Sequence, residues 1–227
     1  MQERLQKIIA NSGYCSRRKA EELIEKGKVK LNNTMAKLGD KATEQDKITI
    51  NNQELKTKQK NQYYILNKPK GILVTKSDPQ NRRTIYNLKS VSKNIPTLNY
   101  VGRLDAMSEG LLILTNDGEF NNRLTHPSHE IKKTYQVRTK PEIKKEDIKI
   151  LKNGLPIDNK PFFAKIDNIN KNTFEITIQE GRNRIIRRAL EENMNYKIYE
   201  LKRISIGNIK LGNLKIGEIK EISNKDL

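Results

Sequence analysis

The chain has 227 residues, with 45 Lys and Arg against 27 Asp and Glu, a net charge of +18, one cysteine and two histidines. That length holds one sizeable core, or a small domain and a medium one; the lone Cys15 excludes an intramolecular disulfide and a Cys/His zinc cluster, and it fits a reducing compartment. No stretch reaches the roughly 18–20 apolar residues of a membrane span, so a soluble, cytoplasmic protein without a membrane partner is expected, and the positive surplus favours nucleic acid as partner over a merely solvated basic surface.

Residues 3–10 read as a short helix with Leu5, Ile8 and Ile9 on one face, ended by Gly13. Ser16 is a candidate N-cap for a second helix to Lys26, stopped by Gly27, with Ala20, Leu23 and Ile24 inward. Arg17, Arg18 and Lys19 crowd its first turn, where the helix dipole disfavours cations. Phosphate binding explains them; so does ordinary solvated charge. Val29 and Leu31 alternate as one strand, Ile48 and Ile50 as another, and the polar stretch 56–62 reads as a linker.

Beyond the linker, Tyr63–Leu66 reads as a strand, 67–71 as a turn, and 72–75 as a strand again. A helical turn is expected at 84–89. Gly110–Thr115 is apolar throughout, as in a strand covered on both faces, and 116–118 is a turn before a short helix to Leu124. Strands are expected at 134–139, 162–167, 173–179, 196–204 and 216–222, and helices at 144–152 and 182–193. Strands outnumber helices without regular interleaving, so the class is α+β.

Three segments carry candidate chemistry. GRLDAMSEGLLILTNDG (102–118) places Asp105 in a loop just before the most apolar strand, a common active-site arrangement. Taken alone, the aspartate also fits a turn-shaping residue. Lys133-Thr134-Tyr135 enters a strand, where a tyrosine is equally a core residue. EGRNRIIRRAL (180–190) concentrates four arginines in a chain that has only 13 beside 32 lysines. Arginine offers a planar fork that lysine lacks, so the cluster suggests a geometric need; a solvated basic face is the alternative.

These segments, with LNKPKG (66–71), resemble in order and spacing the bacterial ribosomal RNA pseudouridine synthases of the Rsu and Rlu type. The resemblance covers 63–227. Residues 1–58, through SRRKAEELIEKGKVKLNN, are similar to the small RNA-binding domain found in a ribosomal protein of the small subunit. It implies a helix-pair-plus-sheet domain at 1–58 and a catalytic domain at 63–227, built on a mixed, mainly antiparallel sheet with a central cleft. It implies further that Asp105 is the nucleophile, that Tyr135 lies against the target base, and that Arg187 forms an ion pair with Asp105. The resemblance also implies that Arg103 helps fill the space left by a flipped nucleotide. Arg17, Arg18, Lys19, Lys68, Arg182, Arg184 and Arg188 are the other expected RNA contacts.

Isomerising uridine oxidises, reduces and hydrolyses nothing, so no cofactor or metal is expected. Asn183-Arg184 and Arg187-Arg188 are more similar to the large-subunit branch, which makes 23S ribosomal RNA the favoured substrate of a monomeric enzyme. Met107-Ser108-Glu109 and Ile185 depart from the family's usual residues, which bears on the substrate before the reaction. The competing class is a non-catalytic RNA-binding or ribosome-assembly protein, which uses the charge and the small domain but not Asp105.

Overall fold

The structure, a computed structural model, describes residues 2–43, 45–55, 60–95 and 97–223, the side chain of residue 94 excepted; residues 56–59, most of the expected linker, lie outside the described residues. The chain divides into two compact units, Met1–Gln62 with Asn116–Gly118, and Tyr63–Thr115 with Glu119–Leu227.

The small unit runs β1 (Glu3–Arg4), α1 (Leu5–Asn11), α2 (Arg17–Glu25), β2 (Val29–Leu31), β3 (Thr34–Met35), β4 (Lys41–Ala42), β5 (Ile48–Ile50) and β6 (Gln53–Glu54). Its first helix begins at Leu5 rather than residue 3, because Glu3 and Arg4 pair with Ala42 and Lys41 as strands. Ser16 caps α2, its Oγ accepting from the Lys19 amide at 3.2 Å. Gly27 (φ 62°) ends it: the Gly27 amide donates to the Ile24 carbonyl and the Lys28 amide to the Leu23 carbonyl, which satisfies two of the helix's free acceptors. Leu5, Ile9, Ala20 and Ile24 bury one face of the helix pair against Val29, Ile48 and Ile50. Leu23 is only partly buried at the rim. The sheet order is β3-β2-β5-β6. Its hairpins turn on Asn32-Asn33 and Asn51-Asn52, all four at positive φ, the pairing that two-residue turns between twisted strands need.

The large unit continues with β7 (Tyr63–Lys68), a 3-10 turn at Ile85–Asn87, α3 (Lys89–Asn94), β8 (Asn99–Val101), β9 (Glu109–Thr115) and α4 (Gly118–Thr125). Then come β10 (Lys133–Lys140), α5 (Lys145–Asn153), β11 (Leu155–Ile157), β12 (Lys160–Phe162), β13 (Lys165–Asn170) and β14 (Thr173–Ile178). The chain closes with α6 (Ile185–Arg187), which passes into π winding over Arg188–Asn193, then β15 (Lys197–Ile206), β16 (Ile209–Lys210) and β17 (Ile219–Glu221).

One sheet of order β13-β14-β10-β15-β9-β7-β17 dominates, with β8 beside β9 and β16 beside β15. The class is α+β with a mixed, mainly antiparallel sheet. Among the described residues its one parallel junction joins β15 to β9 through just two residue pairs, Lys202 with Glu109 and Arg203 with Gly110. Cores lie on both faces of β9. Leu112 and Leu114 join the larger one with Leu66, Tyr135, Val137 and Ile186, whereas Leu111 and Ile113 join the smaller one with Tyr63, Ile65 and Phe120. That double burial is the reason 110–115 has no polar alternation.

Several segments differ from the sequence pattern. Ile72 and Val74 are buried, but residues 72–75 make no strand: the backbone bonds through Leu73 alone, to Arg83 and Ile85. The strand expected over 162–167 is split. Phe162 ends the β11–β12 hairpin, and a new strand starts at Lys165. Pro156 and Pro161 face each other in that hairpin and hide it from strand propensity. At 216–222 only Ile219–Glu221 is extended in the sheet.

Candidate active site

Asp105 lies in the loop that links β8 to β9, immediately ahead of the parallel junction. Main-chain bonds give this loop its shape. The Ser108 amide donates to the Asp105 carbonyl at 3.0 Å and closes a turn. The Gly71 amide donates to the Ala106 carbonyl at 2.7 Å. Arg187 Nη2 donates to the Met107 carbonyl at 3.1 Å. Lys68 Nζ donates to the carbonyls of Ser108 at 2.8 Å, Pro69 at 2.9 Å and Ala106 at 3.3 Å. Four successive carbonyls, 105 to 108, are thus each engaged. The carboxylate is not: half-buried Asp105 has no hydrogen-bond or ion-pair partner for its side chain among the described residues.

Three buried cations surround this loop: Lys68 at 0% exposure, Arg203 at 2% and Arg187 at 6%. Burial pushes the Lys68 ammonium down to about 8, against the opposing pull of Asp105 and then Glu109, while Arg203 pushes it further down. Arg203 Nε donates to the Leu111 carbonyl at 2.8 Å, and its Nη2 is buried without a hydrogen-bond partner. Tyr135, on β10, sits opposite Arg203 in the register and is 8% exposed. Lys133, two residues earlier, is lowered by burial and then by Arg203.

The expected ion pair of Arg187 with Asp105 is not formed. Arg187 Nη1 meets Glu191 instead, at 3.3 Å, one helical turn along its own segment. Arg187 still reaches the Asp105 loop, through the Met107 carbonyl.

The other expected RNA contacts divide. Lys68 is a correction: with no exposed surface and three protein acceptors, it cannot meet a polyanion. Arg182 is occupied by Glu180, at 2.5 and 2.7 Å, and by the Ile157 and Pro161 carbonyls at 2.8 and 3.2 Å. Arg188 grips Asp158 through two bonds of 2.7 and 2.5 Å. Both arginines fasten the β11–β12 hairpin, and bidentate carboxylate pairing neutralises the charge that phosphate would seek. Arg103 and Arg184 are exposed, Arg184 in the left-handed region at φ 49°. In the small unit Arg17 and Arg18 are exposed, and Lys19 pairs with Glu22 at 2.8 Å.

Sequence reasoning missed Arg203 and the real place of Lys68. One signal was available for the second: Lys68 prolongs an apolar strand and precedes a proline, a poor setting for a solvent-facing side chain.

The family model of RNA pseudouridylate synthases matches residues 62–192, and that of the S4 domain matches residues 3–48. The chain is 41% identical over 210 residues to "Ribosomal large subunit pseudouridine synthase B" of Bacillus subtilis (strain 168), covering 88% of this chain and 84% of that protein. It is 40% identical over 238 residues to "Uncharacterized RNA pseudouridine synthase" of Aquifex aeolicus (strain VF5), covering 100% and 93%. A solved structure described as "Crystal structure of pseudouridylate synthase" superposes with a TM-score of 0.70 at 27% identity, covering 98% of this chain and 97% of that one. The chain belongs to the RNA pseudouridylate synthase family. It is an isomerase, and it carries an S4 RNA-binding domain ahead of its catalytic sheet. Among the described residues, no helix is long and apolar enough to cross a membrane.

Proposed function

We propose that the chain converts one uridine of large-subunit, 23S ribosomal RNA to pseudouridine, with Asp105 as nucleophile. The observation that carries this reading is the contrast at Asp105: a loop whose four carbonyls are all bonded presents a carboxylate that bonds to nothing among the described residues. An ionised carboxylate with no internal partner, on a fixed backbone, is what attack on a sugar or a base requires. The similarity to the Bacillus subtilis protein supports the large subunit as the source of the substrate.

In this reading the target nucleotide leaves its stack, at a cost of a few kcal/mol. Exposed Arg103 enters the vacated space, and the ring of Tyr135 supports the base from β10. The bond from uracil N1 to the sugar breaks, the uracil turns, and its C5 bonds to the same sugar carbon. The proton displaced from C5 balances the one that N1 takes up. Arg187, held by Glu191, keeps the loop in place and adds positive potential behind the carboxylate. Residues 1–58 act as an RNA-binding module through Arg17 and Arg18, alongside the catalytic domain at 63–227. The enzyme works as a monomer in the cytoplasm.

Incubation with unmodified large-subunit RNA, followed by mapping of pseudouridines, tests the proposal. One new site is expected with the wild-type protein and none with Asp105→Asn. Absence of conversion on every ribosomal RNA offered, or conversion by the variant, overturns it.

A further inference from the structure

We propose that Lys68 and Arg203 are positioning residues for the reaction: a buried pair of cations, of which Lys68 holds the carbonyls of the 105–109 loop and Arg203 holds β9 just past it, and which together supply the positive potential in which the Asp105 carboxylate works. The inference rests on the reading of Asp105 as the nucleophile and assigns the residues that act through it.

Geometry makes the case. Lys68 ends β7 and Arg203 sits at the two-pair parallel junction, so each comes from a rigid strand and neither from the loop. The Lys68 ammonium has three N–H donors and meets three carbonyls, two of which, Ala106 and Ser108, flank Met107 in the loop. Arg203 bonds the Leu111 carbonyl just past the loop and lies opposite both Gly110 and Tyr135. Its Nη2 is buried and unpartnered, and no carboxylate lies within ion-pair distance of the guanidinium among the described residues. A buried cation without a carboxylate destabilises a fold relative to an apolar side chain of similar size. Packing alone therefore accounts for neither residue.

Several charged groups act on the pair or on the loop it adjoins. Asp105 and Glu109 of the loop and Arg203 of β15 act on Lys68. Lys133 of β10 feels Arg203 and Glu180. Arg187, paired with Glu191, joins the loop through Met107. Glu180 and Glu191 are taken up by Arg182 and Arg187, whereas Asp105 and Glu109 have no hydrogen-bond or ion-pair partner among the described residues, and of these two Lys68 feels Asp105 first.

Two measurements test the proposal. The first follows the 13C-labelled side-chain signal of Lys68 by NMR through a pH titration of the full chain. Asp105→Asn removes the anion that favours the charged ammonium, so the Lys68 midpoint should move to lower pH; an unmoved midpoint overturns the proposal. The second is the pH dependence of single-turnover uridine conversion. Lys68→Met and Arg203→Met should move the acid limb to higher pH and lower the plateau about tenfold or more, with RNA affinity unchanged. Arg203→Lys, which keeps the charge, should restore the limb. Lower melting temperatures with an unmoved limb make the pair merely structural and overturn the proposal. Should the Met variants not fold, the titration decides alone. Absence of conversion by wild-type protein counts against the nucleophile reading, and the titration still reports on the pair.

Discussion

A Cβ placed on Gly110 would stand 2.3 Å from the carbonyl oxygen of Arg203 and 2.8 Å from its amide nitrogen. The two backbones approach this closely where Gly110, which has no Cβ, pairs with Arg203 in the two-pair junction between the halves of the sheet. Gly110 also has φ 100°, a conformation that side-chain-bearing residues rarely adopt. Gly110→Ala should therefore destabilise the fold by more than about 3 kcal/mol, since neither backbone can yield without opening the junction. Denaturant unfolding measures this, and a loss below about 1 kcal/mol contradicts it.

Asp105→Asn should leave stability within about 0.5 kcal/mol of wild type, since its carboxylate has no hydrogen-bond or ion-pair partner among the described residues. Conversion should fall by at least about a thousandfold while RNA affinity is kept. Gel-shift titration beside the conversion assay separates the two effects.

Arg182 and Arg184 are two residues apart, and opposite outcomes are expected of them. Arg182→Ala removes the bonds to Glu180, Ile157 and Pro161 and should cost about 2 kcal/mol of stability. Its effect on RNA binding should be slight. Exposed Arg184→Ala should leave stability unchanged, weaken RNA binding, and reduce the slope of log affinity against log salt by about 1. Melting curves and salt-dependent binding read both.

The stability difference between wild type and Lys68→Met should depend on pH in one window. Burial holds the folded-state value of Lys68 at about 8, below its ordinary 10.5. Between those values the unfolded chain binds more protons than the folded one, so wild-type stability rises with pH there. The total rise is about 3 kcal/mol, and it is flat below the window and above it. Chemical denaturation of both proteins from pH 7 to 11 gives the difference curve; a flat difference across the window contradicts the prediction.

Much of this fold is visible in the sequence wherever one rule dominates. The apolar run 110–115, the Ser16 cap and the Gly27 stop each have a single local cause, and each marks a real element. The β11–β12 hairpin escapes because its strands carry prolines and its stability comes from Arg182 and Arg188, which lie 20 or more residues further along. The site is legible in a similar way. Asp105 and Tyr135 stand out by motif, but the motif does not tell which cations face solvent. Lys68, Arg182 and Arg188 look like RNA contacts in a chain of charge +18, and only tertiary partners show that all three are occupied. Arg203 sits in no cluster, so nothing local marks it as buried.

The loop that presents Asp105 is shaped by bonds to its main-chain carbonyls. The side chain of Met107, 50% exposed at its tip, takes no part in them. The identity of that side chain is thereby separated from the position of the carboxylate two residues away. An exchange of side chain at 107 therefore leaves the bonds that hold the reacting group in place. The loop's course is written in its main chain, and its exposed tip can vary without the carboxylate being moved.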